Sequence, residues 1–74
     1  MEYILYTDGA CQPNPGQGGW AFVLMSPDGK ESYIQQGSCQ NTTNNRMELS
    51  AVLYGLRFFK DIRKSESDSV KLYS

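Results

Sequence analysis

An α/β domain built on a mixed sheet is the fold class this sequence predicts, antiparallel through three strands and parallel at a fourth. Three observations lead there. An apolar and aromatic run, Tyr3-Ile4-Leu5-Tyr6, opens the chain; a Pro27-Asp28-Gly29 turn divides two further strand-like segments; and a helical pattern from about Asn44 to Lys64 precedes a last alternating segment, Val70 to Ser74. A helix that links two strands of one sheet makes them parallel, and the handedness of such crossovers sets the first and last strands side by side.

In chain order, Glu2 to Thr7 lacks clean alternation, which predicts a strand covered on both faces. Asp8 stands where this run stops and a glycine-rich loop, Gly9 to Gly19, begins. That puts a carboxylate at the open end of the sheet, where ligands of sheet-based domains bind. Trp20 to Ser26 reads as the second strand. In Ser26-Pro27-Asp28-Gly29-Lys30 the proline presets the first turn dihedral and Gly29 supplies a positive φ, so the chain reverses tightly and returns antiparallel over Lys30 to Cys39, with Gly37 as a candidate bulge. Gln40 to Asn45 reads as a loop rich in helix N-caps.

The helix that follows is apolar over more than the one stripe a surface helix needs. Glu48, Val52, Gly55, Leu56 and Phe59 share one face, and Met47, Ala51, Tyr54, Phe58 and Ile62 a neighbouring one. Such a helix wants two partners, of which the sheet is one. After the polar connector Ser65 to Ser69, the strand Val70 to Ser74 stops without turn or cap and reads as interrupted. Neighbouring strands lie about 4.8 Å apart, so whatever follows Ser74 is expected beside Asp8.

With 74 residues the chain is one small domain at most, burying only roughly 60 % of the surface of its unfolded form. Cys11 and Cys39 lack Cys-x-x-Cys spacing, which suits two free thiols in a reducing compartment better than a bridge. The longest apolar stretch, Ala21 to Met25, is too short for a bilayer, and Glu2 follows Met1 where an export signal would be basic, so the expected location is cytosolic, without a membrane partner. The absence of histidine excludes Ser-His-Asp and Cys-His catalysis and His-ligated zinc within this chain. A net charge of −1 argues weakly against a strongly basic nucleic-acid grip. Five of the seven cations, Arg46, Arg57, Lys60, Arg63 and Lys64, fall in the helix and its exit. For the last three, stabilisation of the helix C-terminus is sufficient explanation.

Carboxylate chemistry remains. Two readings fit Glu48. It lies on the stripe with Val52, Leu56 and Phe59 and so leans toward the sheet, where a lone buried carboxylate is costly unless it is paired or binds a cation; alternatively, Asn45 and Glu48 form a capping box at the helix start. The position of Asp8 at the same end of the domain favours a site. Two acids without a cationic partner suit a hard, oxygen-loving ion, Mg²⁺ or Mn²⁺ in its place. Phosphodiester cleavage is a natural reaction for such a pair, in its two-metal form with one ion activating water and the other stabilising the leaving oxygen.

Three segments, Tyr6-Thr7-Asp8-Gly9-Ala10-Cys11, Asn14-Pro15-Gly16-Gln17-Gly18-Gly19-Trp20 and Thr43-Asn44-Asn45-Arg46-Met47-Glu48-Leu49, resemble the N-terminal signatures of type 1 ribonuclease H, in order and spacing, across Met1 to Ser74. The resemblance implies a ribonuclease H-like fold with a mixed five-stranded sheet and flanking helices, and Mg²⁺-dependent endonucleolytic cleavage of RNA in an RNA–DNA hybrid. Residues 1–74 are then the N-terminal part of a single domain whose C-terminal part is missing. Asp8 and Glu48 correspond to two of the family's metal-binding acids, with Asp8 bridging both ions and Glu48 holding one and helping to position the attacking water. The third acid follows directly after a motif like Val70-Lys71-Leu72-Tyr73-Ser74. The fourth acid, a histidine-bearing loop and a basic segment lie further on. The isolated chain is therefore expected to be inactive, although the complete enzyme would act as a monomer.

Gly9, Ala10, Cys11, Asn14, Asn44 and Asn45 correspond to family positions that contact the RNA strand. Neutral donors and acceptors can test the 2′-hydroxyls that a hybrid's wide minor groove presents. Simpler roles exist beside these: Asn14-Pro15-Gly16 is an ordinary turn, and Asn44 or Asn45 can cap the helix. Gly16, Gly18 and Gly19 are read as backbone-geometry residues, and Trp20 as core packing. Two other classes stay open: a non-catalytic hybrid-binding or scaffold fragment that pairs with its missing half or with a second copy, and a resolvase- or integrase-like relative on the same superfold.

Overall fold

The computed structural model describes residues 1–74 as β1 (Glu2–Cys11), β2 (Gly16–Met25), β3 (Ser32–Thr42), α1 (Asn44–Ile62) and β4 (Ser69–Tyr73). They form one four-stranded sheet in the order β3-β2-β1-β4. β1 is antiparallel to β2 and parallel to β4, so the predicted mixed sheet and the adjacency of first and last strands are both present. Four of the five strands that the resemblance implies lie within these residues.

The strands differ from the sequence reading in their extents. β1 runs on through Asp8 to Cys11 and β2 begins at Gly16, so the expected loop from Gly9 to Gly19 shrinks to Gln12–Pro15. Asp8 consequently stands inside a strand, paired with Ala21, and not at its end. Small residues permit helix or loop equally, and cross-strand pairing of Gly9 with Trp20 and Ala10 with Gly19 decides for strand. β3 likewise extends to Thr42 through the polar Gln40-Asn41, with Asn41 taking a left-handed φ of 57° that asparagine tolerates. The irregularity in β2–β3 pairing falls between Gly16 and Gly18 and not at Gly37, which stays in register opposite Trp20. The reversal is as expected: Gly29, at φ 74°, donates its amide to the Ser26 carbonyl at 3.0 Å. Asp28 tightens it by accepting from the Ser26 hydroxyl at 2.6 Å and the Lys30 amide at 3.0 Å, which together hold its carboxyl below the ordinary value.

β1 is covered on one face, in contrast to the two-sided burial its sequence suggests. Tyr3, Leu5, Thr7 and Cys11 are buried while Tyr6 is 46 % exposed. The core lies between that face and α1: Tyr3, Leu5, Phe22, Leu24 and Phe59 form its centre, with Trp20, Tyr33, Phe58, Ile62 and Val70 around them. Trp20 takes the packing role expected of it, stacked on Tyr54 at 4.6 Å between ring centroids. Only one stripe of α1, Met47, Ala51, Gly55 and Phe59, is buried. It draws on both faces proposed from the pattern, and it leaves Leu49, Leu53 and Leu56 outside, 57 %, 53 % and 37 % exposed. Both cysteines are free, Cys11 buried and Cys39 exposed. No helix is long and apolar enough to cross a membrane.

Candidate active site

The site begins where two parallel strands are last paired. β1 and β4 are paired up to Tyr6–Tyr73, and the Thr7 hydroxyl donates to the Tyr73 carbonyl at 3.4 Å. Asp8 follows in β1 and shares a notch with Ser74 at the carboxyl ends of these strands, the place where α/β sheets gather ligand-binding groups.

The start of α1 lies against this notch. Gly9 is what allows it: a Cβ there would overlap the Met47 carbonyl group and lie 2.5 Å from the Glu48 amide nitrogen. Because Gly9 touches the Met47–Glu48 peptide, the residues on either side of that contact, Asp8 and Glu48, line one cleft of about 390 Å³ together with Thr7, Asn45, Leu49, Val52 and Ser74. The two acids expected at the same end of the domain thus line one cleft.

Its basis differs from the one the pattern suggested. Glu48 is exposed and off the buried stripe, so no burial penalty demands a partner for it. The capping-box alternative also fails. Thr43 is the N-cap, its hydroxyl accepting from the Arg46 amide at 3.2 Å, and Glu48 is too far into the helix to reach the cap. Neither Asn44 nor Asn45 caps the helix. Glu48 is left with no structural task, and its carboxylate faces the cleft that Asp8 also faces.

Cleft chemistry can be read from its lining. The side-chain donors are the two carboxylates, the Asn45 amide and the hydroxyls of Thr7 and Ser74; neither Lys nor Arg lines it. The chain's ion pair, Met1 amino group to Asp68 at 3.3 Å, lies at the opposite end of β1. Two like charges facing one cleft without a counter-charge, surrounded by oxygen donors, fit a hard divalent cation. No group of three or more His, Cys, Asp or Glu side chains is assembled anywhere, so these residues contribute two acids and no closed metal shell.

The other expected contact residues form a linked group beside the cleft. Asn44 Oδ1 accepts from the Cys11 amide, and the Asn44 amide donates to Asn14 Oδ1 at 3.2 Å. This ties the end of β1, the Gln12–Pro15 loop and the first residue of α1 together. It also leaves the side-chain NH₂ groups of both asparagines as the free donors. The Cys11 thiol is turned inward, donating to the carbonyls of Pro13 at 3.1 Å and Thr42 at 3.2 Å, so only its backbone is available to a ligand. Ala10, with Asp8 and Gly9, lines a second, shallower hollow that reaches Gln36 and Gly37. Sequence reasoning missed Thr43 and Met47. Thr43 was obscured by a search for a glutamate partner three residues on; Met47, 3 % exposed, carries no chemistry that would mark it.

Known proteins agree with this arrangement. The RNase H family profile matches residues 1–74. The chain is 46 % identical over 69 residues to the ribonuclease H of Treponema denticola, and 51 % identical over 70 residues to that of Rhodopirellula baltica. These alignments cover 92 % and 95 % of the chain but 43 % and 41 % of the relatives, so the chain spans about four-tenths of their length. Among solved structures, ribonuclease H1 of Halobacterium salinarum superposes with a TM-score of 0.80 at 27 % identity, covering all of this chain and 55 % of the other. LC11 ribonuclease H1, solved in complex with an RNA/DNA hybrid, gives 0.72 at 28 % identity, covering 97 % of this chain and 54 % of that one. The spacing of the acids, the strand order that makes the notch and these matches place the chain in the ribonuclease H family.

Proposed function

We propose that residues 1–74 are the N-terminal part of a ribonuclease H domain that cleaves the RNA strand of an RNA–DNA hybrid with divalent metal. The observation that carries this reading is the shared cleft of Asp8 and Glu48, set by the close approach at Gly9. Asp8 and Glu48 would hold divalent ions, Asp8 shared between two of them and Glu48 on one, with Mg²⁺ the fitting cation and Mn²⁺ its substitute. Bound there, such ions supply an activated water and stabilise the leaving oxygen. Glu48, exposed at the start of α1, also accepts a hydrogen bond from the attacking water and so orients it. The free NH₂ groups of Asn14 and Asn44, with Asn45 in the cleft, set the register of the RNA strand through its hydroxyls and phosphates, and the backbone of Gly9, Ala10 and Cys11 lies alongside. A cytosolic location goes with the two free thiols.

Two carboxylates are too few to fix two ions, which supports inactivity of the 74-residue chain by itself. An acid placed directly after Ser74, itself a lining residue, would enter the same cleft. A binding or scaffold role that depends on association draws support from the exposed leucines of α1 and from Ile34, 69 % exposed on the opposite sheet face. The complementary C-terminal half is the partner this favours over a second copy, and the completed enzyme is a monomer. With the family established, the resolvase or integrase alternative falls away. The test joins residues 1–74 to the C-terminal part of a relative and assays cleavage with Mg²⁺. Hybrid is cut and DNA duplex is not, and Asp8→Asn abolishes cutting; cleavage that persists in Asp8→Asn removes the metal role.

A further inference from the structure

Met47 occupies a notch made by two glycines. Its backbone rests on Gly9 of β1, and its Cγ would lie 2.7 Å from a Cβ at Gly18 of β2. The same Gly18 position faces the Thr42 methyl at 2.7 Å, and Thr42 is 2 % exposed. Residue 47 is thus seated on two adjacent strands, its backbone against Gly9 and its side chain against Gly18, where a Cβ on either glycine would collide with it. On each side of this contact stands one of the acids: Asp8 precedes Gly9, and Glu48 follows Met47. Other groups at the helix start fix other coordinates. Thr43 caps the first turn, and Asn44 ties it to Cys11, but neither touches β1 at Gly9.

We infer that Met47 is a positioning residue whose side chain, seated against Gly18 while its backbone rests on Gly9, sets the spacing of the Asp8 and Glu48 carboxylates and through it the affinity of the cleft for a divalent cation. This rests on the metal reading above. The mechanism is steric. With the side chain removed, α1 keeps its tie to the end of β1 through Asn44 and Cys11 but loses the contact that seats residue 47 on Gly18, and Glu48 moves with the helix backbone while Asp8 stays with the sheet. A shift at a supporting residue of a metal site lowers affinity by about 10- to 100-fold in general.

The experiment titrates Mg²⁺ into residues 1–74 joined to the C-terminal part of a relative and follows the Asp8 and Glu48 resonances by NMR, with the nuclear Overhauser contact between Gly9 and the Glu48 amide as a separate measure of spacing. Met47→Ala is expected to weaken binding about tenfold and to lose the contact, while Met47→Leu, which refills the notch, stays within about threefold of wild type. Phe59→Leu, a core change at the far end of the same helix, is the control. It lowers the thermal midpoint but leaves both readouts in place. The inference is overturned if Met47→Ala keeps wild-type affinity and the Gly9 contact, or if Phe59→Leu weakens binding as much as Met47→Ala does. A wild-type joined domain with no saturable response at either acid defeats the metal reading instead. The spacing claim is then decided by the Overhauser contact alone, upheld by its loss in Met47→Ala and overturned by its retention. Should Met47→Ala lose its helical circular dichroism, Met47→Val provides the same comparison with a smaller cavity.

Discussion

Gly9→Ala is the sharpest perturbation this structure offers, because one methyl group is asked to enter the contact that brings the two acids together. The new Cβ would stand 2.5 Å from the Glu48 amide nitrogen, where ordinary van der Waals contact begins at 3.4 Å, and its nearest obstacles are helix backbone atoms, not a flexible side chain. The Met47 carbonyl is nearer still, so the start of α1 must retreat by about 1.1 Å. Forced overpacking of this kind costs about 1–3 kcal/mol. A 74-residue domain has only about 4–11 kcal/mol of total stability at ordinary values per residue, so the loss is a substantial share. Misplacement near 1 Å at a reacting centre typically lowers turnover about 100-fold. Urea denaturation of the chain measures the first effect, and hybrid cleavage by the completed domain the second. Gly19→Ala is the matched control: its Cβ meets nothing closer than the Gly37 carbonyl oxygen at 3.4 Å, so it should be neutral or slightly stabilising. A Gly9→Ala chain with the wild-type urea midpoint, or a Gly19→Ala chain equally damaged, would refute the claim that close approach at residue 9 organises the site.

Further outcomes follow from individual contacts. Thr43→Ala removes the hydroxyl that accepts from the Arg46 amide and should cost about 0.5–2 kcal/mol in urea denaturation, whereas Asn45→Ala, outside the cap, should cost much less. Leu5→Ala deletes a side chain with no solvent exposure, packed against Gly55, for a loss of about 2–5 kcal/mol by the same measurement. Desolvation is the largest single influence on the Asp68 carboxyl and raises it, but hydrogen bonds from the Met1 ammonium and the Lys64 and Ser65 amides, with the ammonium's charge, together outweigh it and hold the group below its ordinary value. Its stabilising contribution is accordingly complete above the unfolded carboxylate value, near about 3.9, and disappears as pH falls through the lowered native one. Asp68→Asn should remove that part of the acid-side slope of the urea midpoint. A thiol reagent should label exposed Cys39 at once and buried Cys11 only at the rate of unfolding, and equal rates would contradict the inward orientation of the Cys11 thiol.

The sheet order was legible because each cue was local and redundant: the Pro27-Asp28-Gly29 reversal, the helical run and the final alternating segment leave few topologies open. Strand ends were not legible. Asp8 to Cys11 and Gly16 to Gly19 carry little strand propensity of their own and are strand because each pairs with the other. The acids and their spacing pointed to the cleft that both residues line, yet the reason given for Glu48 was mistaken. Helical periodicity places it near Val52 and Phe59, but whether a helix buries that stripe or the one through Met47 and Ala51 depends on where a neighbouring strand lets it approach. Here the glycines at 9 and 18, and Gly55 under Leu5, select the second stripe. Close packing onto glycine is invisible to periodicity, which counts apolar residues and treats glycine as none.

That selection explains how acids from opposite layers can line one cleft. Along β1 the residues facing the helix are Tyr3, Leu5 and Thr7, so alternation turns Asp8 toward the other side of the sheet, while Glu48 comes from the helix layer. In the middle of a sheet those two side chains would be separated by the backbone. They share a cleft because Gly9 lets the Met47–Glu48 peptide approach β1 directly after Asp8, beside Ser74 at the end of β4.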